Sequence, residues 1–85
     1  MPTIARFSGI SIRMNPKGKE HNPPHVHVIY ENHEISINIE NHISRGFGFP
    51  NKQHIMALRF IMLFEKQLLD MWDTQVFCLI DYKGE

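Results

Sequence analysis

The strongest constraint on the fold of this chain is a pair of prolines at residues 23–24, followed at once by an alternating run over residues 25–30, His-Val-His-Val-Ile-Tyr. Proline excludes a regular helix here, because it lacks a backbone N–H and its ring clashes with the preceding turn. Polar and apolar residues that alternate with a period of two are typical of a half-buried strand. A second alternating run covers residues 34–39, and together the two runs predict a β-hairpin that turns at residues 31–32.

The register of this hairpin follows from its apolar residues, which must coincide on one buried face. A turn at residues 31–32 gives two apolar and two polar pairs: Val28 with Ile35, Val26 with Ile37, His27 with Ser36, and His25 with Asn38. His25 and His27 are therefore expected on the polar face of the sheet, among side chains that can form hydrogen bonds with them.

The segment over residues 3–14 predicts the first strand, because aliphatic and polar residues alternate over its second half. A bulge at Gly9 brings Phe7 onto the apolar face. The same bulge leaves Arg6 and Arg13 together on the polar face. A straight strand, with Arg6 on the apolar face, is the alternative.

Two further runs favour strands. Residues 43–49 alternate but contain Gly46 and Gly48, which weaken a strand and favour an edge position or a close approach to another element. Residues 76–82, Val-Phe-Cys-Leu-Ile-Asp-Tyr, are apolar and rich in strand-forming residues, so they predict an additional C-terminal strand. Because an open edge of this composition promotes aggregation, the run is expected to pair within the sheet or across a dimer.

Residues 52–73 predict one long helix after Pro50. An apolar stripe with steps of three and four is expected to cover the sheet: Ile55, Leu58, Met62, Leu69 and Trp72. The helix carries more apolar residues than one stripe needs, so a second side is expected to meet another copy of the chain or a small partner protein. The residues expected in that interface are Phe60, Phe64, Met71 and Trp72.

These elements predict an α+β fold in a single domain over residues 1–85. An antiparallel sheet of about four strands packs against one long helix, with an additional C-terminal strand. Cys78 is the only cysteine, so a disulfide within the chain is excluded and a reducing, cytoplasmic location is expected. No apolar run reaches the ~20 residues that span a bilayer. The formal net charge of zero argues against a strongly basic nucleic-acid-binding protein, but it leaves a local basic patch open.

Several motifs occur together in this chain. It starts with Met-Pro-Thr-Ile-Ala-Arg-Phe, continues with Glu-His-Asn-Pro-Pro-His-Val-His-Val at residues 20–28, and then has a hairpin and a helix that ends near Trp72. In these motifs the chain resembles the family called domain of unknown function 4160, over nearly all residues up to Trp72. The apolar run over residues 76–82 departs from the more polar tail of that family. The resemblance implies a small bacterial protein from a two-gene, toxin–antitoxin-like module, acting as an interaction module that binds itself or a small partner protein.

The histidines suggest a metal site. His25 and His27 are two residues apart on a strand and point the same way, and His21 could approach from across the Pro-Pro turn. Three histidines with an open position form the ligand set of hydrolytic zinc sites, so zinc or another divalent transition metal is the cofactor that this arrangement implies. The far ring nitrogens are expected to form hydrogen bonds with Ser36, Asn38 or Glu34. Alternatively, the histidines are structural and bond the loop and the sheet.

The arginines suggest an anion site on the same face. Arg6 and Arg13 match phosphate, and histidine serves as a general acid or base near neutral pH. Arg6, Arg13, His25 and His27 are therefore the candidate catalytic residues of a small hydrolase or ribonuclease, metal-dependent or metal-free, that is centred on the His-Asn-Pro-Pro-His-Val-His cluster. This function is the alternative to the interaction module. If the arginines instead pair with carboxylates such as Glu34, the face is an ordinary solvated surface.

Overall fold

The structure is a computed structural model that describes residues 2–16 and 23–84. Within these residues five strands form one antiparallel sheet, in which each strand pairs with its neighbours in sequence. The strands are β1 (Thr3–Phe7), β2 (Ile10–Arg13), β3 (His25–Tyr30), β4 (His33–Asn38) and β5 (Ser44–Arg45), and they are followed by helices α1 (Asn51–Leu63) and α2 (Glu65–Thr74). The fold is therefore α+β, as predicted.

The central hairpin, β3 and β4, has the predicted register. All four expected pairs are present: His25 with Asn38, Val26 with Ile37, His27 with Ser36, and Val28 with Ile35. The valines and isoleucines of these pairs are at most 4% exposed. In the turn, the positive φ of 54° falls on Glu31 rather than on Asn32.

Residues 3–14 form two strands joined by a tight turn, so the prediction of one bulged strand is wrong. Ser8 and Gly9 have positive φ values of 50° and 77°, which match the two-residue turn of a type I′ hairpin. Phe7 then pairs with Ile10, and both side chains are buried. Phe7 therefore lies on the apolar face as expected, but the chain reverses its direction to place it there.

The predicted strand over residues 43–49 is reduced to the two residues of β5, at the edge of the sheet. Gly46 follows β5 directly and has a φ of 136°. A Cβ at this position would lie 2.6 Å from Ile35 Cγ2, closer than two carbon atoms can approach. The edge position and the close approach that the glycines predict are thus both present.

The predicted long helix is divided into α1 and α2 at Phe64, whose φ of −114° and ψ of 20° are not helical. Backbone hydrogen bonds continue across the break, from Phe64 N to Phe60 O and from Leu68 N to Phe64 O. Asn51 is the first helical residue and Pro50 takes the N-cap position, without a side-chain capping bond. Within the described residues, neither helix is long and apolar enough to cross a membrane.

The stripe that the helices bury differs from the predicted one. The buried helical residues are Ala57, Phe60, Ile61, Leu68, Met71 and Trp72. Of the predicted stripe, Trp72 is buried and Leu58 and Leu69 are partly buried against the core. Ile55 and Met62 are 45% and 55% exposed. Because apolar residues occur on almost every side of the helix, several stripes have the same spacing, and periodicity cannot distinguish them.

Three of the four residues assigned to an interface are core residues. Phe60, Met71 and Trp72 are 0%, 4% and 3% exposed. The ring of Phe64 is partly buried and lies 5.0 Å from Phe60 and 5.6 Å from Tyr82, measured between ring centroids. The assignment of Phe60, Met71 and Trp72 to an interface is therefore corrected. Part of the surplus apolar surface of the helices is covered by the C-terminal segment of the same chain.

That segment, residues 75–84, is irregular and does not form the additional strand. It is tied to the edge of the sheet by one backbone hydrogen bond, in which Ile80 N donates to Ile4 O at 2.7 Å. The ring of Tyr82 packs against Phe7 and Phe60, with centroid distances of 4.9 and 5.3 Å. Burial of Ile80 and Tyr82, rather than strand pairing, therefore holds this apolar run in place.

Replacing Gly46 by alanine should lower the free energy of unfolding by about 2 kcal/mol or more, because the new methyl group meets Ile35 and the positive φ adds strain. Gly48 is the matched control. It also has a positive φ, of 69°, but no atom lies within 4 Å of a Cβ placed there. Gly48→Ala should therefore cost only about 1 kcal/mol. Urea unfolding of both variants measures the difference, and equal losses would contradict the close approach at Gly46.

Candidate functional site

One row of side chains crosses four strands on the polar face of the sheet. Arg13 on β2 pairs with His27 on β3, His27 pairs with Ser36 on β4, and Ser36 pairs with Arg45 on β5. Neighbouring strands are ~4.8 Å apart, so the Cα atoms of the two arginines are about 14 Å apart. We call these four residues the polar row. It places an imidazole and a hydroxyl between two guanidinium groups.

His27 is held by hydrogen bonds at both ring nitrogens. Its Nδ1 lies 3.2 Å from Glu34 Oε2, and its Nε2 lies 3.1 Å from Asn15 Nδ2. A carboxylate only accepts hydrogen bonds, so Nδ1 carries the proton and donates it to Glu34. The amide of Asn15 then donates to the lone pair on Nε2. This network fixes both the tautomer and the orientation of His27.

His25 is fixed from two directions. Its Nδ1 lies 3.0 Å from the carbonyl oxygen of Pro23. Because a carbonyl oxygen only accepts hydrogen bonds, Nδ1 is the donor. Its ring centroid lies 5.2 Å from that of His27 and 5.4 Å from that of Trp72. Since Trp72 is buried, an indole of the core supports the ring of His25. Trp72 therefore positions this residue from within the chain.

Among the described residues, no carboxylate neutralises the arginines of the polar face. Arg6, Arg13 and Arg45 form no ion pair within residues 2–16 and 23–84. Glu34, which the sequence offered as a partner for an arginine, bonds to His27 instead. The Nε atom of Arg13 is buried and has no hydrogen-bond partner among the described residues. A buried N–H without an acceptor costs about 1–3 kcal/mol, and a bound anion would supply that acceptor if the Arg13 side chain moves to expose the atom.

Two hollows adjoin the polar row and share Ser36 and Arg45 as a common wall. The first hollow has a volume of about 170 Å³ and is lined by Pro23, His25, Ser36, Asn38, Ile43 and Arg45. The second hollow is more open, has a volume of about 280 Å³, and is lined by His27, Glu34, Ile35, Ser36 and Arg45. The face therefore offers one recess beside the His27–Glu34 pair and another beside His25.

The structure brings together three of the four candidate catalytic residues. His25, His27 and Arg13 are neighbours on the polar face. Arg6 is exposed on the same face, but it pairs with Ser11 and so lies outside the polar row. The third candidate metal ligand, His21, lies outside the described residues.

Sequence reasoning missed Arg45 and Asn15 as members of the site. Arg45 lies in an alternating run, so the sequence shows which residues share its face of the strand. Its place opposite Ser36, however, depends on the loop that joins β4 to β5. Asn15 lies just after β2, in a stretch that reads only as a loop. In both cases the register of an adjacent element decides the contact, and no pattern within the segment reveals it. Glu34, by contrast, was expected to bond a histidine ring nitrogen, and it does.

The described residues fit a metal only in part. They contain no group of three or more side chains that could hold a metal ion. The bond from His27 Nδ1 to Glu34 is the type that orients a metal-bound histidine. However, a metal at Nε2 would have to displace Asn15, and catalytic zinc takes about three protein ligands. Zinc or another transition metal thus requires a ligand beyond His25 and His27, and His21 stays the candidate for it.

Comparisons with known proteins agree with the resemblance seen in the sequence. A family model described as Domain of unknown function (DUF4160) matches residues 9–73. No curated protein and no solved structure gave a match. The matched residues include the whole polar row and the residues that line both hollows. Because the match covers more than half of the 85 residues, the chain belongs to the family called domain of unknown function 4160.

Proposed function

We propose that the polar face of the sheet binds the phosphate group of a ligand and acts on its ester bond, as a small hydrolase or ribonuclease. The observation that carries this proposal is the polar row, with His27 and Ser36 between Arg13 and Arg45. Guanidinium groups match phosphate oxygens in geometry and charge, and a serine hydroxyl can donate a further bond. The row is a local basic patch on a chain of zero formal net charge.

The hydrogen bonds on this face favour an anion over an ordinary solvated surface. The carboxylate of Glu34 orients His27, and no carboxylate among the described residues pairs with Arg13 or Arg45. The buried Nε of Arg13 has no hydrogen-bond acceptor among the described residues. A phosphate bound between the two arginines would compensate both charges, and a shift of the Arg13 side chain would let the phosphate accept a hydrogen bond from Nε. Such charge-assisted bonds contribute about 1.5–3 kcal/mol each.

His27 has the arrangement of a general base. Glu34 keeps the proton on Nδ1, so the lone pair on Nε2 is the basic site, and Asn15 occupies it. A substrate hydroxyl that replaces the Asn15 amide can transfer its proton to Nε2 as the oxygen attacks phosphorus. With RNA as substrate, the 2′-oxygen forms the new bond to phosphorus, the bond to the 5′-oxygen breaks, and that oxygen takes a proton from water. Arg13 and Arg45 would stabilise the charge that develops on the phosphate.

A second candidate function is association with another copy of the chain at β5. No described strand pairs with the outer edge of β5. The apolar residues Ile43 and Phe47 flank this edge and are 60% and 98% exposed. A short edge strand with exposed apolar neighbours can pair with the same edge of a second copy. This role retains the interaction module but moves its interface from the helices to the sheet edge. In a toxin–antitoxin-like module, a small partner protein would occupy the same edge.

Replacing Arg45 by glutamine should weaken the binding of inorganic phosphate about tenfold or more, because one charge-assisted contact is lost. An NMR chemical-shift titration gives the Kd. Arg59→Gln is the matched control, since Arg59 is an exposed arginine on α1, and it should leave the Kd unchanged. Phosphate binding that does not differ between the two variants would place the anion away from the polar row.

Replacing His27 by glutamine should abolish the cleavage of a short single-stranded RNA while phosphate binding persists, because glutamine keeps a similar size but cannot take up the proton. Cleavage by the unaltered protein should continue in the presence of EDTA, since the proposed chemistry uses no metal. Gel electrophoresis of a labelled RNA measures cleavage by the variant and cleavage by the unaltered protein with EDTA. Full activity of His27→Gln would remove His27 as the base. Activity that EDTA abolishes and zinc restores would favour a metal site completed by His21.

Replacing Phe47 by aspartate should reduce self-association, because a charge at this 98% exposed position opposes apolar contact between two copies. Sedimentation velocity over a range of concentrations measures the effect. Met62→Asp is the control, at another exposed apolar residue on α1, and should leave association unchanged. A monomeric unaltered protein at all concentrations would count against association at β5.

A further inference from the structure

We infer that the first hollow holds a nucleobase, so that the ligand of the polar face is a nucleotide and, as a polymer, single-stranded RNA. The inference rests on the proposed function and names the class of its substrate. It comes from the residues that line the hollow and from the place of the hollow beside the polar row.

The size and the walls of the hollow suit one ring system. Its volume of about 170 Å³ is well below the ~300 Å³ at which pockets for drug-sized ligands begin. Pro23 and Ile43 supply apolar surface, and His25 supplies an aromatic ring. The ring of His25 is held in place by its bond to the carbonyl of Pro23 and by its contact with buried Trp72. A fixed aromatic ring in a recess is the platform on which proteins stack unpaired bases.

The polar groups of the hollow are suited to donate hydrogen bonds. The Oδ1 atom of Asn38 already accepts bonds from Glu40 N and Asn41 N, at 2.8 and 3.0 Å. The part of this amide that a ligand can use is therefore Nδ2, a donor. Arg45 has donors only, and the hydroxyl of Ser36 can also donate. The carbonyl oxygens and ring nitrogens of a nucleobase match these donors, whereas a purely apolar ring would leave them unpaired.

The first hollow lies beside the polar row, two residues further along β3 and β4. The pair His25–Asn38 is two residues from the pair His27–Ser36, which is about 7 Å along a strand. Ser36 and Arg45 contact both hollows, so no element separates the two recesses. A base beside His25 and a phosphate beside His27 can thus belong to one nucleotide, with the sugar lying over Ser36.

The test compares three probes: uridine 5′-monophosphate, ribose 5-phosphate and inorganic phosphate. Isothermal titration calorimetry should give a Kd for the nucleotide about tenfold or more below that of ribose 5-phosphate, because only the nucleotide has a base to stack. Ile43→Ala should raise the Kd of the nucleotide towards that of ribose 5-phosphate and leave the Kd of inorganic phosphate unchanged. Ile55→Ala, at an exposed isoleucine on α1, should change none of the three values.

The outcomes separate the inference from the proposed function. Equal Kd values for the nucleotide and ribose 5-phosphate, with inorganic phosphate bound, would overturn the base site and leave the phosphate site in place. A nucleotide Kd that is low but unaffected by both Ile43→Ala and Pro23→Ala would overturn the assignment of the hollow. No binding of any of the three probes would overturn both the proposed function and the inference.

Discussion

The pairing of β3 with β4 divides the sheet into a face that packs against the helices and a face that carries polar side chains. A slip of one residue between these strands would exchange the two faces. It would expose Val26 and Val28 and turn His25 and His27 into the core. Full burial of an aliphatic side chain contributes about 1.5–3 kcal/mol, so the slipped register would be less stable by several kcal/mol. The polar row is therefore aligned by the burial of residues on the opposite face.

The buried apolar side chains pack on one side of the sheet, so the side chains on the polar side are not required for packing of the core. Phe7, Phe60, Phe64 and Tyr82 form an aromatic cluster that joins β1, α1 and the C-terminal segment. The C-terminal segment bonds the edge of the sheet at β1 through Ile80 and Ile4, whereas no described strand pairs with the outer edge of β5. Trp72 is the exception to the division. It is buried, yet its ring contacts His25, so α2 supports the site through one residue.

The sequence predicted the central hairpin correctly because its turn is short and only one register buries both apolar rows. It did not distinguish a bulge from a turn at residues 8–9, because either one places Phe7 on the same face as Ile10. The buried stripe of the helices was also ambiguous. Eight apolar residues of the segment 52–73 lie outside the predicted stripe and gave alternatives with the same spacing, and packing against the common core buries a different set of them. Arg45 joins the site through the pairing of β5, which a two-residue strand cannot reveal by pattern.

The two candidate functions use overlapping residues, and this overlap links them. Ile43 lines the first hollow and also flanks the open edge of β5, and Arg45 belongs both to β5 and to the polar row. A second copy or a partner protein paired at that edge would cover part of the hollow. Ligand binding and association would then oppose each other, and each would reduce the affinity of the other by the same factor. The loss of association on adding nucleotide and the loss of nucleotide affinity on association would therefore both measure the same coupling free energy.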